Sequence, residues 1–236
     1  MSFDWTPERL TGAARDHVRQ YDAPRFAAVK EVGAAFLAMR ASAARDGLDL
    51  RPFSSFRDLK TQARIWRRKY TLKATLYDRT GVPLDGAALR LEARIWAILN
   101  WSALPGGSRH HWGTEIDVVE GAAVDAGHRV DLLPWETAPG GPFHPLRQWL
   151  DENAARFGFH RPYDVDRGGM CAEPWHLSYA ALSAPALEAL TPEILRRALA
   201  AADPPDRALV ETLVPEIFER HIRNVAPLFA GCAAHR

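Results

Sequence analysis

The stretch GGSRHHWGTEIDVVE, Gly106 to Glu120, sets His110 just ahead of an alternating acidic and apolar run that contains Asp117. Side chains alternate sides along a strand, so Glu115 and Asp117 share one face while Ile116 and Val118 take the other. Gly113 allows a tight backbone or a close approach between the histidine and the strand. Ser108, two residues before His110, would share its side of an extended segment. A hydrolytic zinc site needs three protein ligands, an open fourth position for water, and a carboxylate that moves protons without binding the metal. A loop histidine followed by a strand aspartate is common by chance and does not meet those needs. The second half is EPWH, Glu173 to His176. Pro174 disfavours a helix there, so this is not the helical His-Glu-x-x-His arrangement. On an extended or turning segment the pair can still converge on one metal, with His176 as third ligand and Glu173 as base.

Several elements must position these residues. Thr6 before Pro7 reads as a helix start, with a helix to about Tyr21, and a second helix is predicted from Pro24 to Asp46 with Gly47 as its stop. LDLRPFSSFR alternates as a strand; RDLKTQARIWRRKY returns to helical spacing. DRTGVPLDGAA is a loop and Ala88–Trp101 a helix. A loop then enters the strand Thr114–Val119, with HRVDLLPW as a candidate pairing partner. Pro145–Phe157 is helical. CAEPWHLSYA reads as a short or edge strand. The end is helical from Thr191, with Pro215 interrupting the last segment. Helices around a few distant strands predict an α+β fold, a small antiparallel sheet carrying the zinc site. Residues 1–180 are expected to form the catalytic domain with its N-terminal helices, and 181–236 a C-terminal helical extension packed on it.

SRHHWGTEID and EPWH together resemble the Ser-x-His-x-x-Gly-x-x-x-Asp and Glu-Pro-Trp-His signatures of the VanY-type D-alanyl-D-alanine carboxypeptidases. These belong to the superfamily of lysostaphin, the D-Ala-D-Ala peptidases and the sonic hedgehog domain. Upstream, SSFRDLKTQ is similar to that family's Ser-x-x-Arg segment with its following Gln, and FGFHRPY to a segment before the last motif. The resemblance spans Pro52 to Tyr179. It implies one Zn2+ on His110, Asp117 and His176, Glu173 as general base, and Arg57 and Gln62 meeting the substrate, the catalytic Arg57 guanidinium suiting either a terminal carboxylate or the oxyanion of the tetrahedral intermediate. It also implies a hydrogen bond from Ser108 to the bound peptide and an apolar wall of Trp175 and Tyr179. The implied reaction is hydrolysis of peptidoglycan stem peptides or muropeptides before a terminal D-alanine. The chain departs from the family at Glu115, where a small residue is usual. Glu115 could shape the substrate pocket, contact a cationic group or stand behind the metal ligands, and it is expected to alter specificity and not metal binding. His111 is expected to point away from the metal toward solvent. Cys171 is expected to be a buried thiol, not a fourth ligand.

Composition sets outer bounds. The 236 residues carry 30 Lys and Arg against 29 Asp and Glu, which gives no bulk-charge support for nucleic acid or anionic membrane as partner. RIWRRKY reads as a solvated helix face with Ile65 and Trp66 partly packed. His17, His128, His144, His160, His221 and His235 read as solvated or core histidines. The two cysteines make no disulfide framework, and no apolar run is long enough for a membrane span. Met1 to Leu10 lacks the features of a secretory signal, although stem peptides lie in the periplasm or cell wall. Release by lysis, action on recycled muropeptides inside the cell, or a different start would reconcile the two. Two rival functions are a phage-type L-Ala-D-Glu endopeptidase and a non-catalytic zinc module; a free Glu173 speaks against the second.

Overall fold

In the computed structural model, which describes residues 3–227, a short helix α1 (Pro7–Thr11) precedes the hairpin β1 (Arg19–Asp22) and β2 (Arg25–Ala28). Helix α2 (Lys30–Arg45), strand β3 (Leu50–Ser54) and helix α3 (Leu59–Tyr70) follow. A small hairpin of β4 (Leu76–Tyr77) and β5 (Pro83–Leu84) leads to α4 (Leu91–Leu99). A 3-10 turn, Arg109–Trp112, enters β6 (Glu115–Glu120), then α5 (Gly121–Asp125) and α6 (His144–Asn153). The chain closes with β7 (Phe159–His160), β8 (His176–Tyr179) and helices α7 (Ala180–Ala189), α8 (Pro192–Ala202) and α9 (Arg207–Ile217).

The fold is α+β, built on a four-stranded antiparallel sheet of order β3-β6-β8-β7. Its inner strand β6 buries all six residues, and the alternation in EIDVVE divides them between two environments. Ile116 and Val118 join Leu50 and Leu177 in a core against Val32, Phe36 and Met39 of α2 and Leu146 and Trp149 of α6. Glu115 and Asp117 project from the opposite face. A second core brings Trp66 of α3, Ile95 and Leu99 of α4, and Trp112 together with Leu195, Leu199, Val210 and Val214 of α8 and α9.

Four local expectations are corrected. The predicted helix from Pro7 to Tyr21 keeps its Thr6 cap but ends at Gly12, which is left-handed at φ 72°. The chain then turns back into the β1–β2 hairpin, so the next helix starts at Lys30 and not Pro24. HRVDLLPW forms no strand: it is a loop gathered by buried Glu136, which accepts from the backbone N–H groups of Asp131 and Leu133 and from His128. β6 pairs instead with β3 and β8. β8 is accordingly an inner strand; the two-residue β7 forms that edge.

Candidate metal centre

Strand register does most of the positioning. Asp117 of β6 faces His176 of β8 and Ser54 of β3 as direct cross-strand partners. His110 sits on the 3-10 turn that feeds β6, and this turn closes on Gly113 at φ 68°. A Cβ at Gly113 would lie 2.4 Å from Val18 Cγ1, so no larger residue fits the approach of the turn to the hairpin. His110 Nε2 lies 3.1 Å from Asp117 Oδ2, and His176 Nδ1 lies 2.9 Å from Asp117 Oδ1. One ligand-capable atom from each of the three buried residues lies within 4.8 Å of the others. Ligand bonds of roughly 2.0–2.2 Å suit that spacing.

The donor set fits a divalent metal on two further observations. His176 Nδ1 and Asp117 Oδ1 are buried and neither makes a directed hydrogen bond, despite their closeness. Each histidine is also held from behind. His110 Nδ1 lies 2.9 Å from the Ser55 carbonyl and His176 Nε2 2.8 Å from Glu115 Oε2. A ring N–H donated to such a partner leaves the other nitrogen free for a metal. Among the described residues no other cluster has this geometry, and Cys171 is a buried free thiol outside it.

The electrostatics separate the carboxylates. Burial acts against the charge of Asp117, but His110 and His176 outweigh it and hold the carboxyl well below its usual range. Glu115 is likewise held low, Arg109 and His176 overcoming its burial. Glu173, whose Oε2 lies 3.5 Å from His176 Nδ1, goes the other way: burial and the Asp117 charge push it up to about 7. Burial pulls the pKa of His110 down. On His176 burial is outweighed by Asp117 and Glu115, which raise it to about 10.

A cavity of about 240 Å³ opens over this cluster, lined by Arg57, Ser108, Glu173 and Trp175 with the three candidate ligands. Arg57 stands 3.9 Å from Asp117 and donates to Gln62 Oε1 and Ser54 Oγ at 2.9 and 2.8 Å. Three expected substrate contacts are corrected. Gln62 is fully buried behind Arg57, and its amide donates to the Ala103 carbonyl at 2.7 Å; it positions Arg57. Tyr179 follows Leu177 by two and so shares its face of the sheet, away from the centre, where its hydroxyl donates to Glu31 at 3.0 Å. Glu115 does not reach the cavity. It is fully buried beneath His176, hydrogen-bonded to Ser178 at 2.8 Å and paired with Arg109 at 3.4 Å.

His111 is buried, not solvent-facing: its Nε2 accepts from Gly106 N at 3.1 Å and its Nδ1 bonds the Arg57 carbonyl. Of the other histidines, His17 and His160 have buried side chains without directed partners, and His128 pairs with Glu136. His144 reaches the Thr137 carbonyl and His221 stacks on Trp96. His235 and Cys232 lie outside the described residues. Sequence reasoning missed Lys69 and Tyr163, both in the cavity wall. The spacing of four between Ile65 and Lys69 marks them as one helix face, a signal available in RIWRRKY.

The sequence model of VanY, D-alanyl-D-alanine carboxypeptidase, matches residues 27–182. The chain belongs to the VanY family of D-alanyl-D-alanine carboxypeptidases. It is therefore an enzyme of the carboxypeptidase class, and the match supports peptidase action on peptidoglycan. An uncharacterised protein of Haemophilus influenzae is 40% identical over 93 residues, covering 39% of this chain and 71% of its own length. Two solved VanY structures share the fold. A Glu-to-Ala mutant of the vancomycin-resistance D,D-pentapeptidase VanY from a VanB-type cassette, in complex with Zn(II), has a TM-score of 0.51 at 23% identity. It covers 72% of this chain and 82% of its own. VanYB in complex with D-alanine-D-alanine has a TM-score of 0.52 at 22% identity, covering 72% and 81%.

Proposed function

We propose that this VanY-family chain is a zinc-dependent D,D-carboxypeptidase that removes the terminal D-alanine from peptidoglycan stem peptides. The observation that carries it is a buried carboxylate, Glu173, poised beside three convergent candidate ligands in a cavity that also holds Arg57. The VanY relatives solved with Zn(II) and with D-alanine-D-alanine support the choice of metal and substrate. His110, Asp117 and His176 would hold the ion. Bound there, a zinc ion would act as a Lewis acid on the scissile carbonyl and acidify the attacking water.

The chain's own residues do the rest. Glu173, raised to about 7 by burial, takes a proton from the attacking water and returns it to the leaving amine; a base near the working pH suits both transfers. The Arg57 guanidinium, fixed by Gln62 and Ser54, stabilises negative charge on the carbonyl oxygen. Trp175 supplies an apolar wall, and the buried Ser108 hydroxyl a hydrogen bond to the peptide. The proposed place of action is the cell wall or periplasm, where stem peptides lie.

The test is mass spectrometry of defined muropeptides incubated with zinc-loaded protein, with Glu173→Ala as control. Pentapeptide stems are expected to lose one alanine, and the control to leave them intact. Cleavage after the first L-alanine would replace this proposal with the endopeptidase, and an active control would remove Glu173 from its role.

A further inference from the structure

The chemistry above leaves one cavity group unused. Lys69 lies on α3 one turn beyond Ile65, and both face the cavity that Glu173 and Arg57 line. Among the described residues no acidic side chain pairs with its ammonium and no hydrogen bond holds it. Arg57, by contrast, is committed to Gln62 and Ser54 and stands 3.9 Å from Asp117. The function proposed above assigns Arg57 to the carbonyl under attack.

A second cation in the same cavity has a different place to serve. A half-buried ammonium without an anion is costly, and burial draws its pKa down to about 8 although Glu173 pulls the other way. An incoming anion would offset that cost. In a carboxypeptidase substrate the leaving residue ends in a carboxylate, one residue or roughly 3.5 Å beyond the scissile carbonyl. The flexible four-carbon stem of a lysine can meet it there.

We propose that Lys69 is a specificity-determining residue that receives the free terminal carboxylate of the substrate and so restricts this site to exposed chain ends. The inference rests on the carboxypeptidase proposal and deepens it. An enzyme cutting within a chain would find no terminal carboxylate at that position and would draw nothing from the charge. Stem peptides carry other carboxylates, so the test must change the terminal one alone.

Nα,Nε-diacetyl-L-Lys-D-Ala-D-Ala and its C-terminal amide differ only there. The zinc-loaded wild type is expected to cut the acid at least 10-fold better than the amide, within the range of a charge-assisted hydrogen bond of about 10- to 100-fold. In Lys69→Met, the ratio of kcat/KM for the acid to that for the amide is expected to fall by about that factor, the acid's extra loss being carried by KM. Lys69→Arg, which keeps the charge, should keep the preference for the acid. Removing the charge also shifts Glu173, but that affects both substrates alike and cancels in their ratio. Equal cleavage of acid and amide by the wild type would overturn the proposal. So would a parallel loss on both substrates in Lys69→Met. Cleavage of neither by the wild type would instead bring down the carboxypeptidase proposal beneath it.

Discussion

At the scale of single residues, the centre works by giving similar carboxyl groups opposite environments. Glu115 is fully buried among Arg109, His176 and Ser178 and stays ionised, whereas for Glu173 burial and the Asp117 charge outweigh His176 at 3.5 Å and raise it to about 7. The first can hold a histidine; the second can exchange a proton. His176 lies between carboxylates on both ring nitrogens, which raise it to about 10 against its burial. Its folded-state value lies above the ordinary one, so at pH 8 without metal it is protonated, and a metal must displace that proton from Nδ1. Zinc binding at pH 8 should therefore release about one proton, and affinity should rise roughly tenfold per pH unit between 8 and 9. Glu115→Gln removes one of the two raising carboxylates, so it should release fewer protons and flatten that slope. Affinity alone does not decide, because Glu115 favours proton-bound and metal-bound His176 alike. Isothermal titration in buffers of different ionisation heat counts the protons. An unchanged count in Glu115→Gln would return Glu115 to the specificity role expected from sequence.

At the scale of elements, what was legible were features that follow from spacing along the chain. EIDVVE alternates because one face meets apolar helices and the other meets the centre, so β6 could be placed from its pattern. Pro174 kept Glu173 and His176 off a helix, and the structure turns there, with His176 N donating to the Glu173 carbonyl at 3.0 Å. What was not legible depends on partners distant in sequence. Gln62 looks like an ordinary helix residue until the Ala103 carbonyl and Arg57 close around it. The end of α1 and the hairpin after it were hidden because RDHVRQY satisfies helical spacing, while tertiary pairing of β1 with β2 decides otherwise. Gly113 tests how far the turn bearing His110 depends on its backbone. Gly113→Ala adds a left-handed penalty of about 1–2 kcal/mol per residue, and its methyl would meet Val18. We expect a loss of about 2–4 kcal/mol in denaturant unfolding and weaker zinc retention against a chelator, since His110 moves with the turn. Unchanged stability would mean that the turn tolerates an alternative path.

At the scale of the whole molecule, the question is whether the helices after β8 merely cap the enzyme or help to shape its centre. Their side chains complete the core that holds α3, α4 and Trp112. Contact with the centre runs through the loop just before His110. Gly106, at φ 85°, lies so close to α8 that a Cβ there would be 2.5 Å from Ala198 Cβ, and a Cβ on Gly107 would be 2.8 Å from Ile222 Cδ1. His111 clamps the same loop, since Gly106 N donates to its Nε2 while its Nδ1 bonds the Arg57 carbonyl. Pressure on Gly106 from α8 therefore has a path to Arg57 and to the turn carrying His110. Ala198→Leu applies that pressure without altering any cavity residue. Overpacking of this kind costs about 1–3 kcal/mol, a fall in Tm of roughly 2–10 °C for a chain of this size. Peptidase activity should fall more than stability alone explains, because at assay temperature the folded fraction stays near one. Arg197→Leu, on the exposed side of α8, is the control and should leave both nearly unchanged. If Ala198→Leu lowers Tm but leaves kcat/KM intact, the C-terminal helices stabilise the fold without shaping the centre; loss of both ties the geometry of Arg57 and His110 to a helix pair outside the matched family region.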